Sequence, residues 1–418
     1  MPLRRWLRSS AAVTALPLMA VYMFLVLGDS ANSLEDNWLS ATVLVASAGV
    51  MAMGPVCAGA GAWEGARLSR GRVEGATPVR SPAEILAWSL LPILGAAVSG
   101  LLGALSLVAV AMTDVPGLPA PSVLAVALLV IVAWTLAGFA VGRFLPPLLG
   151  VPLLLAGTWL WLAYPAALET FWVRHLTGNN LGFCCETGTT FHRGALIAQT
   201  ILAVAVAGAA FLAWARRRGT RRAWAGIVGI PLAAVVAAFP LVRDMGPEAQ
   251  VPRAGGLVCS RWDGGEVCVW RERGKRLGFA AGIVLPAVRR LSAATGLPAP
   301  GRVTEGPADG RTSWRFAVPP GAGGDDVLFG LATGLLPADP PSCGPDWSGA
   351  DAYAPLSAWL ALTAGAGRDS VERRTGPASL GAAGRALALP PAGQARWFRH
   401  NLAALRRCDI PPREVTPL

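Results

Sequence analysis

Cys259 and Cys268 flank Asp263-Gly264, and an Asp-Gly pair between such flanks predicts a hairpin closed by a two-residue turn. Counting outward pairs Trp262 with Gly265, Arg261 with Glu266, Ser260 with Val267 and Cys259 with Cys268. Hydrogen-bonded and non-hydrogen-bonded pairs alternate, which puts the cysteines at a non-hydrogen-bonded site where side chains come closest. The expected chemistry is a cross-strand disulfide, with a thiol or metal role as the alternative; no further Cys or His stands nearby in sequence to complete a metal site. Cys343 and Cys408 are the other candidates for a disulfide, on parity alone. Pairing them closes a loop of 65 residues, a contribution of about 4 kcal/mol in the chain-entropy account. Cys184-Cys185 stays open between a redox pair, partners for other thiols and reduced thiols, because adjacent cysteines form only a strained ring. Glu186 and His192 beside them read as outer loop rather than as metal ligands, and no metal is expected.

The other chemistry-bearing group is charged. Trp63-Glu64-Gly65-Ala66-Arg67-Leu68-Ser69-Arg70-Gly71-Arg72-Val73-Glu74-Gly75-Ala76-Thr77-Pro78-Val79-Arg80 mixes both signs between two long apolar stretches. Read by itself it is a solvated basic loop at a lipid surface. No GxxxxGK[ST] phosphate loop is present, so the chain is not itself an ATPase. With three His and no HExxH or GxSxG, no catalytic residue, cofactor or enzyme activity is expected.

These groups must be positioned by elements that the composition already constrains. The 418 residues are 53% hydrophobic and 15% charged, where about 25% charged is usual for a soluble domain. That excludes disorder, and seven Cys are too few for a small disulfide scaffold. Seven apolar stretches, near 11–28, 39–62, 85–112, 121–142, 146–166, 194–215 and 223–242, each approach the length of about 20 residues that crosses a bilayer. The first stretch, preceded by Arg4-Arg5, has a signal peptide of the twin-arginine kind as its alternative.

Thirteen arginines (among them Arg4, Arg67, Arg70, Arg143 and Arg216) fall on one side of these spans, against Arg174 and Arg193 on the other. The positive-inside rule puts the thirteen in the cytoplasm. Much of the net charge of +11 is therefore topological, and no nucleic-acid partner is expected. With seven spans and the amino terminus inside, everything after residue 242 lies outside, where disulfides persist. The expected architecture is an α-helical transmembrane bundle of about seven spans over 1–242, followed by a small α+β extracytoplasmic domain over 243–418. Within that domain Arg302–Glu305 and Thr312–Val318 read as strands. Val327–Leu336, Ala354–Thr363 and the tail from Pro391 read as helices. Residues 276–295 read as one kinked helix or as a helix starting at Pro286.

The layout of residues 1–220 resembles the permease subunit of type-2 ATP-binding-cassette exporters from actinobacteria. There an Arg-rich loop after the second span leads through a segment like Glu74-Gly75-Ala76-Thr77-Pro78-Val79-Arg80 into the third. The resemblance implies a separate cytoplasmic ATPase docking on this loop, through Glu64, Arg67, Arg70, Arg72, Glu74 and Arg80, with the lipid bilayer and a second permease subunit as further partners. The seventh span and the outer domain depart from the six-span pattern. Val267-Cys268-Val269-Trp270 and Leu387-Ala388-Leu389-Pro390, followed by Gln394, Trp397 and Cys408, resemble an uncharacterised domain appended to such permease-like proteins. The competing expectation is a non-transporting plasma-membrane protein whose bundle anchors an extracytoplasmic binding or sensing module.

Overall fold

The computed structural model describes residues 10–30, 37–71, 81–113, 115–180, 185–215, 221–318, 321–337, 341, 343 and 347–413. They form two compact units, Met1–Arg253 and Ala254–Leu418.

The first unit is built of helices α1 (Ala12–Ser30), α2 (Trp38–Arg70), α3 (Pro82–Ala111), α4 (Pro121–Gly142), α5 (Pro147–Ala163), α6 (Arg193–Ala215) and α7 (Arg221–Val242). Among the described residues, seven helices are long and apolar enough to cross a membrane, and six of them are α2 to α7. The 19 residues of α1 span about 28 Å at 1.5 Å per residue, close to a hydrocarbon core of about 30 Å. Phe24, Leu107, Val110, Leu148 and Val236 are between 71% and 88% exposed. Apolar surface on that scale belongs against lipid, and the chain is a multi-pass membrane protein.

The second helix is the hub of this unit. Between Ala41 and Leu68 nearly every residue is buried, and most are Ala, Gly, Ser or Val. Small residues let helix backbones approach closely in a bilayer, where apolar burial alone drives no association. A Cβ at Gly138 of α4 would stand 2.0 Å from the carbonyl oxygen of Ala58, and one at Gly142 2.1 Å from that of Ala62. The fit is reciprocal: a Cβ on Gly61 or Gly65 of α2 would strike the carbonyl oxygens of Thr135 and Phe139 at 2.4 and 2.1 Å.

One correction concerns the end of α2. The helix runs through to Arg70, whereas a loop was expected from Glu64 onward. Glu64, Arg67 and Arg70 are thus helical; Arg72, Glu74 and Arg80 lie outside the described residues. The first unit also continues past residue 242, to Arg253. Strand β2 (Gln250–Pro252) pairs antiparallel with β1 (Thr189–Phe191), in the register Thr190↔Val251, and ties the chain after α7 to the connection between α5 and α6.

In the second unit β3 (Leu257–Trp262) and β4 (Gly265–Trp270) form the expected hairpin, with Cys259 opposite Cys268. Gly264 takes φ +117° in the turn, a conformation that requires glycine. The sheet order is β3-β4-β5-β6, with β5 (Arg302–Thr304) parallel to β4 and β6 (Ser313–Arg315) parallel to β5. Helix α8 (Leu277–Thr295) makes the crossover from β4 to β5, as parallel pairing demands. Pro286 lies inside this one helix.

Helices α9 (Gly324–Gly334), α10 (Tyr353–Ala364), α11 (Arg368–Leu387) and α12 (Pro391–Ala404) complete the core with α8. Residues Leu356 to Ala361 of α10 are all buried, so that helix is apolar all round. Trp359 meets Trp397 and Phe398 of α12 at 5.9 and 5.7 Å between rings.

The segment Arg271–Thr295 also has the length and apolarity of a span, but it is a core helix of this unit. It opens on a charged turn, Arg271-Glu272-Arg273-Gly274-Lys275-Arg276. Its Val284, Val288 and Leu291 are buried in the unit's core, while Arg289 and Arg290 face out. That one-sided burial is the pattern of a water-facing amphipathic helix.

Candidate functional site

Hydrogen bonds sort the ends of the first unit into two groups. At one end the Ala11 N–H, before α1, donates to Glu64 Oε1 at 2.9 Å. The Ser69 hydroxyl donates to the Arg143 carbonyl at 3.4 Å, and Arg143 Nη1 donates to the Trp214 carbonyl at 2.6 Å. The start of α1 and the ends of α2, α4 and α6 are therefore neighbours, and Arg67, Arg70 and Arg143 stand among them. At the opposite end Trp38 Nε1 donates to the Val115 carbonyl, the Ala120 N–H donates to Thr42 Oγ1, and Arg174 Nη1 donates to the Pro247 carbonyl.

Glu64 organises the basic end. Its side chain is fully buried, and Arg67 Nη2 lies 2.6 Å from Oε2. The amide nitrogens that open a helix have no partner within it and carry a partial positive charge. Glu64 caps α1 from another helix and neutralises part of that charge, while Arg67 balances the carboxylate. Glu64, which the resemblance assigned to a docking loop, is buried within the bundle. Arg67, Ser69 and Arg70 are exposed on the same last turns of α2.

The other end carries polar groups that the sequence did not reveal. Every residue from Arg174 to Asn180 is buried, although this stretch between α5 and α6 is not helical beyond Arg174. Irregular backbone is tolerated beside membrane helices only where its polar groups are paired within the protein. The Asn180 N–H donates to Ser47 Oγ at 3.1 Å, Asn179 Nδ2 to the Leu162 carbonyl at 3.1 Å, and Gln199 Nε2 to Asn180 Oδ1 at 3.0 Å. Gly178 takes φ +82°, and a Cβ there would stand 2.9 Å from Val130 Cγ2. Arg174 Nη2 donates to the carbonyls of Ala166 and Leu168. His175 Nε2 bonds the Gly246 carbonyl at 2.9 Å. Burial holds the His175 pKa below its ordinary value against the pull of that carbonyl, and nearby Arg174 and His192 lower it further. The carbonyl can only accept, so Nε2 is the donor in that bond.

Among the described residues, two disulfides join cysteines of the second unit. Cys259 and Cys268 have Cα atoms 4.1 Å apart and are joined, and Cys343 and Cys408 are joined with Cα atoms 5.5 Å apart. Glu266 comes close to the first pair, but sulfurs bonded to one another supply no thiolate to a metal. Cys185 is buried and is not a free thiol; Cys184 lies outside the described residues. Cys57, within α2, is free and fully buried.

The centre of the second unit is an ion pair. Glu305 Oε1 accepts from Arg273 Nη1 at 2.7 Å and from the Val318 N–H at 2.9 Å, and Oε2 accepts from the Trp270 N–H at 3.0 Å. One carboxylate thus holds the end of β4, the charged turn before α8, the end of β5 and the segment after β6.

No curated protein and no solved structure matches the chain. Residues 267–408, from the second strand of the hairpin to the last cysteine, match a family described as a domain of unknown function, DUF7224.

Proposed function

We propose that the chain is the permease-like membrane subunit of an ATP-driven export complex, working with a separate cytoplasmic ATPase that docks on the basic end of the bundle. In this reading α1 to α7 cross the plasma membrane, the amino terminus is cytoplasmic and the second unit is outside. The observation that carries the reading is the overshoot of α2. Its 33 residues run about 50 Å, against a hydrocarbon core of about 30 Å. The last turns bear Arg67 and Arg70 on a helix whose other turns are buried in the bundle. A partner that displaces this end displaces the hub, and the Glu64 clamp carries the movement to α1.

The test is capture of the full-length protein from its native membrane after mild crosslinking. An ATPase with a phosphate-binding loop is expected in the complex, reduced about tenfold or more by the charge reversal Arg67→Glu with Arg70→Glu. Capture without any ATPase would contradict the reading. The competing account is a non-transporting anchor for an extracytoplasmic binding module. It is favoured by the position of the family match, wholly within the second unit, and it expects the reversal to change nothing.

A further inference from the structure

The polar network around Asn180 ends at a cavity that it does not fill. A space of about 220 Å³ lies between α4, α5, α6 and α7, bounded by Leu202 and Leu232 among others; its polar members are Thr177, Gln199 and the tryptophans Trp134 and Trp161, each with one indole N–H. No side chain lining it is ionisable. Leu232 is 61% exposed, so the space borders the lipid-facing surface.

Gln199 is 1% exposed, yet only half of its amide is used. Asn180 Nδ2 donates to the Gly178 carbonyl, which leaves Oδ1 as the Asn180 acceptor and obliges Gln199 to present Nε2 to it. Gln199 Oε1 accepts no hydrogen bond from any described residue. Nor is it among the sealed polar atoms of the described residues, so it opens on the space that Gln199 lines. Thr177 offers no competing group: its hydroxyl donates to the Arg174 carbonyl and accepts the Asn179 N–H.

A buried acceptor without a donor is a costly arrangement, and native interiors avoid it. Water finds few of the two to four polar partners it needs, because apart from Gln199 Oε1 and the indole N–H groups of Trp134 and Trp161 the unsatisfied lining is carbon. A charged ligand would meet no counter-charge. What fits is an apolar body with one hydrogen-bond donor, of neutral charge, reaching the site through lipid. An apolar cavity of roughly 150 Å³ holds a benzene ring; this one holds a ring with a short substituent, or the end of a chain. We propose that the cavity binds the hydroxyl-bearing end of a neutral membrane-soluble alcohol, with Gln199 Oε1 accepting the hydroxyl proton and Trp134 and Trp161 flanking the carbon skeleton. This site stands independently of any ATPase.

The test uses the full-length protein in phosphatidylcholine nanodiscs and three photoreactive diazirine probes of equal chain length: a long-chain primary alcohol, its methyl ether and the matching alkane. Adducts are mapped by peptide mass spectrometry. The alcohol is expected to label the peptides containing Trp134, Trp161 and Leu202 about tenfold more than the ether or the alkane, the ratio that one buried hydrogen bond gives. Gln199→Leu should remove that excess, and Ala203→Phe, which fills the space and keeps the Gln199–Asn180 bond, should remove labelling by all three. Should either variant fail to fold, the wild-type comparison decides alone. Equal labelling by the three probes, or an alcohol excess that persists in a folded Gln199→Leu protein, would overturn the proposal.

Discussion

Replacing Gly138 with leucine is expected to destroy the packing of the first unit. A Cβ at this position would stand 2.0 Å from the carbonyl oxygen of Ala58 and 2.8 Å from its carbonyl carbon. Both atoms belong to the α2 backbone, so no rotamer change relieves the clash. The two helices would have to separate, and separation also opens the contacts at Gly61, Gly65 and Gly142. Overpacking that side chains can absorb costs about 1–3 kcal/mol; a backbone clash at the hub of the bundle should exceed that range. Gel filtration and thermal unfolding in detergent should show loss of the monodisperse species for Gly138→Leu and an intermediate state for Gly138→Ala. Gly95→Leu is the control, since a Cβ there meets nothing within 4 Å. A Gly138→Leu protein as stable as that control would show that α2 and α4 do not pack in this way.

The second large effect is expected at Glu305. Its side chain is 2% exposed and that of Arg273 7%, so neither charge is solvated when its partner is lost. Breaking a buried pair from one side costs about 3–5 kcal/mol, because a buried charge is left uncompensated. For Glu305→Gln the amide keeps one acceptor oxygen, but its NH₂ must face either the Trp270 N–H or the donors from Arg273 and Val318. A loss of that size is a large part of the roughly 5–15 kcal/mol that stabilises a typical domain. Pulse proteolysis of the full-length protein across a urea series should place the cleavage midpoint of the second unit well below wild type for Glu305→Gln. A midpoint within error of wild type would mean that Arg273 finds water or another partner. The two disulfides of this unit, Cys259–Cys268 beside Glu305 included, supply no counter-charge to Arg273 and do not replace the carboxylate.

Which features could be read from the sequence follows from how local their causes are. The hairpin register was legible because Asp263-Gly264 defines the turn and the pairing counts outward from it. The membrane-length helices were legible because an apolar run of about 20 residues needs no tertiary partner to be recognised. The end of α2 was not, since Glu64, Arg67 and Arg70 have the composition of a solvated loop. Glu64 is buried against a partner that the local sequence does not show, the Ala11 N–H, 53 positions away. Helix α11 was hidden for a related reason: it is polar overall, and it kinks at Gly376, where φ is +80°. The division at Arg253 depends on β1 and β2, strands of three residues each, too short to carry a period. The bond between Gln199 and Asn180 was not legible, because it exists only when the stretch after Arg174 folds back between helices.

The central claim is that the first unit lies in the bilayer with its basic end in the cytoplasm while the second unit, which carries the Cys259–Cys268 and Cys343–Cys408 disulfides, stands outside. Cysteines introduced singly at Ser69, exposed near the end of α2, and at Ala308, exposed between β5 and β6, test it in intact cells with a membrane-impermeant maleimide. Cys57, the native free thiol among the described residues, is fully buried. The account predicts labelling of Ala308→Cys without permeabilisation and of Ser69→Cys only after it. Labelling of Ser69→Cys in intact cells, with Ala308→Cys protected until the membrane is opened, would contradict it.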